Sequence, residues 1–376
     1  MPDHYDVIVI GGGPAGSSAA RTAARLNARV LLLERHAMPR PKLCGGWVTN
    51  RALSALGFDL PRDLVECNFG RAELRYRDTG AYFTPDKPIG VFVSRASFDH
   101  YLVQRASEAG VTVRYESANA IGEDGTRLVV HLADGQVTAD GVILCCGANS
   151  HLIRTLREPD TPPQSAICVE QNLPAELAGQ FELQPGTARL YFGMVPHGYG
   201  WLLHHGGYLV VGIGCHRSHC DDLKELYSAF WDQLGLPRSL QLPKGHPIPL
   251  GGFRRDLGRG RLLSAGDAAG MVDAFSGEGI AFAIRSGQLA AQALAGAANV
   301  SAAAAYYQSC RTEISQHLRM SLWAARAYHT APRLFLKAFC SNPTVLSQYN
   351  EVLEGKRDYK QFILGTLRTR LAAVRG

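Results

Sequence analysis

The chain has 376 residues, of which 46% are apolar and 19% charged, and a formal net charge of +6. That is long enough for one large or two interleaved domains with a substantial core, in the composition range of ordinary folded proteins. The mild positive balance, without basic runs interleaved with aromatics, argues against nucleic acid as a partner, and nine cysteines with no Cys-x-x-Cys pair argue against an iron–sulfur cluster or a zinc site and for reduced thiols in a cytoplasmic protein.

The first strand is expected from Tyr5 to Ile10, which leaves no room for a leader ahead of it. Gly11, Gly13, Ala15 and Gly16 follow in Gly11-Gly12-Gly13-Pro14-Ala15-Gly16, and Glu34 closes the next apolar strand 23 positions after Gly11. Glycines there let the backbone turn tightly and approach a pyrophosphate. The helix opening at Pro14 aims its N-terminal N–H groups at that anion, and the acid accepts from ribose hydroxyls. Arg35 adjoins that acid. A Pro/Gly-rich loop, Met38 to Gly46, comes next. A helix is expected over 93–109, with Phe98, Leu102, Val103 and Ala106 on one face, then a parallel strand over 111–115. Alternation over 127–135 ending in Asp134-Gly135 signals a hairpin, and 141–147 reads as a buried strand ending at Gly147.

From about 162 to 250 the pattern changes to strands and turns (188–195, 201–205 and 208–214), which predicts a second, antiparallel sheet. His204 and His205 fall on opposite sides of a strand there, so no shared metal is expected. Near Arg261 the first domain resumes, with Gly266-Asp267 at a strand end and Gly277-Glu278-Gly279-Ile280 opening a helix. A strand-end carboxylate can accept from ribitol or ribose hydroxyls, and a glycine-opened helix offers N–H groups to an isoalloxazine carbonyl or phosphate; taken alone, Asp267 equally fits an ordinary N-cap. The apolar stretch 279–298 carries Arg285, Ser286, Gln288 and Gln292, which makes it a core helix and not a membrane span. Helices follow over 301–328 and through the C-terminus. The division expected is 1–161 and 251–330 for the nucleotide domain, 162–250 for the substrate domain and 331–376 for a helical region. The fold class is α/β: a Rossmann-type domain with a parallel sheet, an interleaved antiparallel-sheet domain of α+β type and a helical C-terminus.

Together the two glycine-rich elements resemble the FAD-binding halves of the glutathione-reductase-like flavoproteins, from Tyr5 to about Ala295. Ser94-Arg95-Ala96-Ser97-Phe98-Asp99 resembles their Arg-x-x-Phe-Asp element, which implies that Arg95 meets the FAD phosphates; the residue alone also fits a surface charge at a helix start. Lys42-Leu43-Cys44-Gly45-Gly46 resembles the Lys-x-Cys-Gly-Gly loop of the geranylgeranyl reductase family. Gly198-Tyr199-Gly200-Trp201-Leu202-Leu203 resembles that family's Gly-Tyr-x-Trp-x-Phe-Pro motif, with Leu203-His204 in place of Phe-Pro. Cys146-Gly147 stands where aromatic hydroxylases of the superfamily carry Asp-Gly, and the halogenase Trp-x-Trp-x-Ile-Pro motif is absent.

The resemblance implies FAD as cofactor and reduction of isolated C=C bonds of an isoprenoid chain, by hydride from reduced flavin N5 plus protonation. Cys44 is either the proton donor or a small residue that lets the backbone approach the ring; Gly45 and Gly46 flank the flavin. Tyr199 and Trp201 either line an apolar substrate tunnel or pack within their sheet. The electron source is NAD(P)H or a reduced carrier protein, since no second nucleotide motif is visible. The basic, apolar-interleaved segment 356–375 either touches a membrane peripherally or packs as an amphipathic helix. Arg40 and Lys42 either meet an anionic ligand or are solvated. A flavin monooxygenase or halogenase, a redox-neutral cyclase or isomerase, and a cluster-free electron carrier to quinone are the alternatives.

Overall fold

Strands Val7–Ile10 and Val30–Leu33 are apolar at every position, so each must be covered on both faces, and that is how they lie. In the computed structural model, which describes residues 3–77, 79–158, 160–161, 164–251, 256–296, 301–341 and 343–366, they are buried in the middle of a parallel sheet. Its strand order is Gly258–Arg259, Leu262–Ser264, Gln136–Leu144, His4–Ile10, Val30–Leu33, Thr112–Arg114. Val7 pairs with both Val30 and Gly141, and Val142 pairs with Leu262, all in parallel register. The strand Arg127–His131 folds back on Gln136–Leu144 through Asp134-Gly135, where Gly135 has φ +109°. Ile8, Val9, Leu31, Leu32 and Ile143 are fully buried, each worth roughly 1.5–3 kcal/mol relative to exposure.

Helices cover this sheet. Pro14–Arg25 buries its alanine face, and Ile280–Gly296 packs across it so closely that a Cβ on Gly287 would sit 2.1 Å from the Ala15 carbonyl oxygen. The expected helix over 301–328 is Ala302–Cys310, a π-turn at Arg311–Ser315 and Gln316–Thr330. The helix expected over 93–109 is Arg95–Glu108. These elements, up to the first turn of Gln316–Thr330, belong to one compact unit, residues 1–42, 95–164 and 248–319.

The other unit comprises 43–94, 165–247 and 320–376. Its seven-stranded sheet runs Lys244–Pro249, Ser165–Pro174, Tyr208–His216, Gly198–His204, Thr187–Phe192, Arg71–Tyr76, Thr79–Phe83. The pair Thr187–Phe192 with Arg71–Tyr76 is parallel, where only antiparallel neighbours were expected. On one face lies the helix Leu223–Gln233, capped by Asp222, with Tyr227, Phe230 and Trp231 buried beside Leu202, Val211 and Ile213.

The division differs from the expected one. Segment 43–94 does not belong with the nucleotide sheet. Phe69, Ile89 and Phe92 share a core with Ala188, Leu203 and Val210, and Leu353 joins them, which also places the C-terminal helices in this unit. Among the described residues no helix is long and apolar enough to cross a membrane. Leu367 to Arg375 of the basic segment lie outside the described residues.

Candidate functional site

The nucleotide cradle is built from the turn after the first strand. Gly11 has φ +110°, and a Cβ there would lie 2.3 Å from the Cys145 carbonyl oxygen; a Cβ on Gly16 would lie 1.7 Å from the Gly11 carbonyl oxygen. Both positions therefore exclude any side chain. Gly13 is the N-cap of the helix from Pro14, and no side chain caps it, so this end keeps N–H donors and positive dipole for an anion. Glu34 is 4% exposed. Its Oε2 accepts from the Gly12 amide at 2.8 Å and its Oε1 from the His36 amide at 3.1 Å. An ionised carboxylate so held keeps lone pairs for hydroxyl donors. Glycine turn, uncapped helix end and buried acid fit the pyrophosphate and ribose of a dinucleotide such as FAD.

Two arginines stand nearby. Arg95 gives Nε and Nη2 to the two oxygens of the fully buried Asp99, each at 2.9 Å, which orients its guanidinium at the start of its own helix. Arg40 lies 3.4 Å from both Glu34 and Asp99, which ties it to both acids. Arg35 is exposed beside Glu34.

The second glycine-rich element meets the first. Gly266, at φ +62°, lies so close to the helix from Pro14 that a Cβ would be 2.8 Å from that of Ala15; Asp267 Oδ1 lies 3.9 Å from where a Gly279 side chain would start. The structure thus gathers Gly11, Ala15, Gly16, Gly266, Asp267 and Gly279, with Ile280 opening the helix and Gly277 turning at φ +76°. Gly147, at φ +78°, lies three residues past the end of the strand Gln136–Leu144, which pairs with His4–Ile10.

Sequence reasoning singled out Asp273 beside this element but missed Arg157, which also fastens it. Arg157 donates from Nη2 to the Ala268 carbonyl at 3.0 Å and from Nη1 to Asp160 at 2.9 Å. Asp273 is 1% exposed. Its Oδ1 accepts from the Phe275 and Ser276 amides at 2.8 and 2.9 Å, and its Oδ2 lies 3.0 Å from His317 Nε2. Burial by itself would raise this carboxyl, yet the His317 hydrogen bond and charge and the two amides bring it below the ordinary carboxylate value. An Asp three residues before a Ser and four before a Gly is the local signal that marked this turn.

In the second unit, the Cys44-Gly45-Gly46 loop is held tightly. The Gly46 carbonyl accepts from the Val93 amide at 2.9 Å. Gly46 has φ +68°, and a Cβ on Gly45 would lie 2.8 Å from Leu203 Cδ1. Cys44 is a free, partly exposed thiol. The loop carbonyl of Gly45 lies 3.0 Å from His205 Nε2.

Tyr199, Trp201 and Leu203 point to one face of their strand, with the paired Phe192 and Leu190 beside them and Tyr76 next to Phe192. Phe192 and Tyr199 rings lie 5.7 Å apart, Tyr199 and Trp201 5.9 Å, Phe192 and Tyr328 5.5 Å. Gly212 and Gly214 leave room for the indole: side chains there would begin 2.5 and 3.3 Å from it. Trp201 Nε1 is buried and finds no hydrogen-bond partner among the described residues. Phe192 and Tyr328 thus extend the aromatic face that Tyr199 and Trp201 share.

A histidine group stands apart from that wall's strand pattern. His197 stacks on His219 at 3.6 Å and lies 4.8 Å from His329. Burial first, then the neighbouring histidines, pull His329 down to about 4. Among the described residues no set of three or more His, Cys, Asp or Glu is arranged to hold a metal. Among the described residues the cysteines are free thiols, Cys145 and Cys146 included.

A family model described as FAD dependent oxidoreductase matches residues 6–132. The chain is 33% identical over 339 residues to digeranylgeranylglycerophospholipid reductase 2 of Methanothermobacter thermautotrophicus, covering 85% of this chain and 86% of that one. It is 32% identical over 304 residues to geranylgeranyl diphosphate reductase of Rhodobacter capsulatus, covering 77% and 74%. In fold it is similar to a geranylgeranyl bacteriochlorophyll reductase-like protein of Thermoplasma acidophilum, with a TM-score of 0.78 over 97% of this chain and 95% of that one at 20% identity.

Proposed function

Because the chain belongs to the geranylgeranyl reductase family of FAD-dependent oxidoreductases, we propose that it reduces isolated C=C bonds in a geranylgeranyl-type isoprenoid chain. The observation that carries this reading is the similarity, over most of both chains, to a reductase of digeranylgeranylglycerophospholipid. The Cys-Gly-Gly loop and the aromatic face of the second sheet support it.

FAD, when bound, supplies a hydride from its reduced ring. The N–H groups of Gly13, Ala15 and Gly16 would hold its pyrophosphate, Glu34 would take its ribose hydroxyls, and Asp267 with the turn from Gly277 to Ile280 would take the ribitol and ring end. Arg157 and Asp273 keep that turn in place. An unactivated alkene also needs a proton on its second carbon. Cys44 gives it: the Sγ–H bond breaks as the new C–H bond forms, and the thiolate regains its proton from solvent. Tyr199, Trp201, Phe192 and Tyr328 line the path of the apolar chain and exclude water. The Trp201 Nε1–H is left to donate to an oxygen of the ligand. NAD(P)H or a reduced carrier protein restores the cofactor, and the enzyme works from the cytoplasm with peripheral contact to the membrane that holds its substrate.

The test is anaerobic. Holoprotein reduced with dithionite is mixed with a geranylgeranyl lipid, and flavin reoxidation is followed together with product mass. Reoxidation with a gain of two hydrogens per bond is expected. Flavin that stays reduced until air enters would sink the reading and turn attention to oxygen or quinone chemistry.

A further inference from the structure

His205 follows directly on the strand Gly198–His204, its side chain 1% exposed. Neither the cradle nor the aromatic wall uses it. Its Nε2 lies 3.0 Å from the Gly45 carbonyl oxygen and its Nδ1 2.6 Å from Glu66 Oε2. A carbonyl oxygen only accepts, so Nε2 must carry a hydrogen. An ionised carboxylate only accepts as well, so Nδ1 must carry one too. The Tyr208 hydroxyl donates to the same Oε2 at 2.9 Å, so that oxygen stands as acceptor to two neighbours. Burial first, and then the Glu66 charge, push the Tyr208 hydroxyl well up, which keeps it a donor.

The ring is fixed on its faces too. Tyr208 stacks on it at 4.6 Å and Phe92 lies tilted at 4.5 Å. The neighbouring thiol of Cys67 donates to the His204 carbonyl at 3.6 Å. Gly46 explains the fit from the loop side: a Cβ there would lie 2.7 Å from His205 Cε1 and 2.4 Å from the Val93 carbonyl oxygen. Gly46 is therefore a glycine for the sake of this ring as well as for its own positive φ.

We propose that His205 is a positioning residue: held as an imidazolium by Glu66, it donates from Nε2 to the Gly45 carbonyl and so fixes the loop that carries Cys44. A cation is thereby held on the residue that follows the proton donor. The link to catalysis rests on the reductase reading above; the protonation state and the anchoring do not.

The first measurement is NMR of the FAD-bound protein labelled with 15N at histidine, with His205→Asn used to assign the signals. Two ring N–H protons on His205 at neutral pH are expected. A single ring N–H would overturn the proposal. Glu66→Gln offers an amide N–H to Nδ1 and should leave one ring N–H, still donating to Gly45; this variant decides the matter if His205→Asn does not fold. In the reductase assay His205→Asn should lose about 10- to 100-fold in kcat, as a small misplacement of a reacting group does, with KM within about twofold and full FAD content, while Glu66→Gln, which keeps the bond to Gly45, should lose less. An unchanged kcat in His205→Asn would overturn the positioning role. Should the unaltered protein reduce no isoprenoid at all, the functional reading falls, and the ring proton count still decides whether the latch exists.

Discussion

The glycine turn at Gly11 and the glycine loop at Gly45-Gly46 look alike in sequence and are held in opposite ways. The first is closed by neighbours along its own strand–helix–strand unit: Gly12 donates to Glu34, 22 residues away, and the helix end it leads into is left open for a ligand. The second is closed by a side chain 160 residues away, His205, itself held by Glu66, 139 residues back along the chain toward the loop. A local turn can be rigid by backbone geometry alone. A loop that presents a reactive side chain needs a holder from elsewhere, and the holder can be tuned without touching the loop.

Breaking the first region should have the largest effect. Gly11→Ala puts a methyl group 2.3 Å from the Cys145 carbonyl oxygen at φ +110°, so the purified protein should be essentially colourless, read as flavin absorbance per protein. Cys44→Ala tests the second region by chemistry alone: FAD content should be normal and kcat about 10²–10⁴-fold lower, the usual worth of a general acid. Full-rate reduction by that variant would leave Cys44 only a packing role. A smaller loss is expected for Glu34→Ala, which strips the buried Gly12 amide and Arg40 of an acceptor. By about 1–3 kcal/mol, FAD affinity should weaken roughly 10- to 100-fold, measured by titrating apoprotein.

The smallest effect sharpens the comparison from outside both loops. His329 titrates near 4 in the folded chain against the usual 6.5, so the unfolded chain takes up its proton first as pH falls. Stability is then unaffected above pH 6.5 and is lost progressively between pH 6.5 and about 4. The loss should be about 1–2 kcal/mol once solvent screening is allowed for. Denaturant midpoints of His329→Gln should fall less steeply across that window than those of the parent; identical slopes would remove the histidine group from the acid response.

The contrast between the two loops also marks how far the sequence could be read. The cradle was legible because strand, turn, helix and acid lie within one contiguous stretch, and each has a period or a residue type of its own. Tyr199 and Trp201 were legible as a shared face because i and i+2 must point the same way on a strand. The partner of Arg95 within the fold, Asp99, was equally within reach of a local reading, four residues on along the same helix. Segment 43–94 was misplaced because its short strands carry few apolar residues each; what assigns it is the packing of Phe69 and Phe92 beside Leu203 and Val210, which no local pattern displays. Glu66, His205 and Tyr208 were unreadable for the same reason.

The order in which the chain crosses between its two units, at about residues 42, 94, 164, 247 and 319, has a consequence for how the protein comes into being. On the ribosome, the nucleotide-binding sheet lacks its strand Leu262–Ser264 until two thirds of the chain has been made, and the helix Ile280–Gly296 that seats Gly287 on Ala15 comes later still. The opening motif therefore emerges long before the surface that completes it. Cofactor loading must follow synthesis of most of the chain, and a fragment carrying the glycine motif alone would display the signature without the ability to retain a flavin.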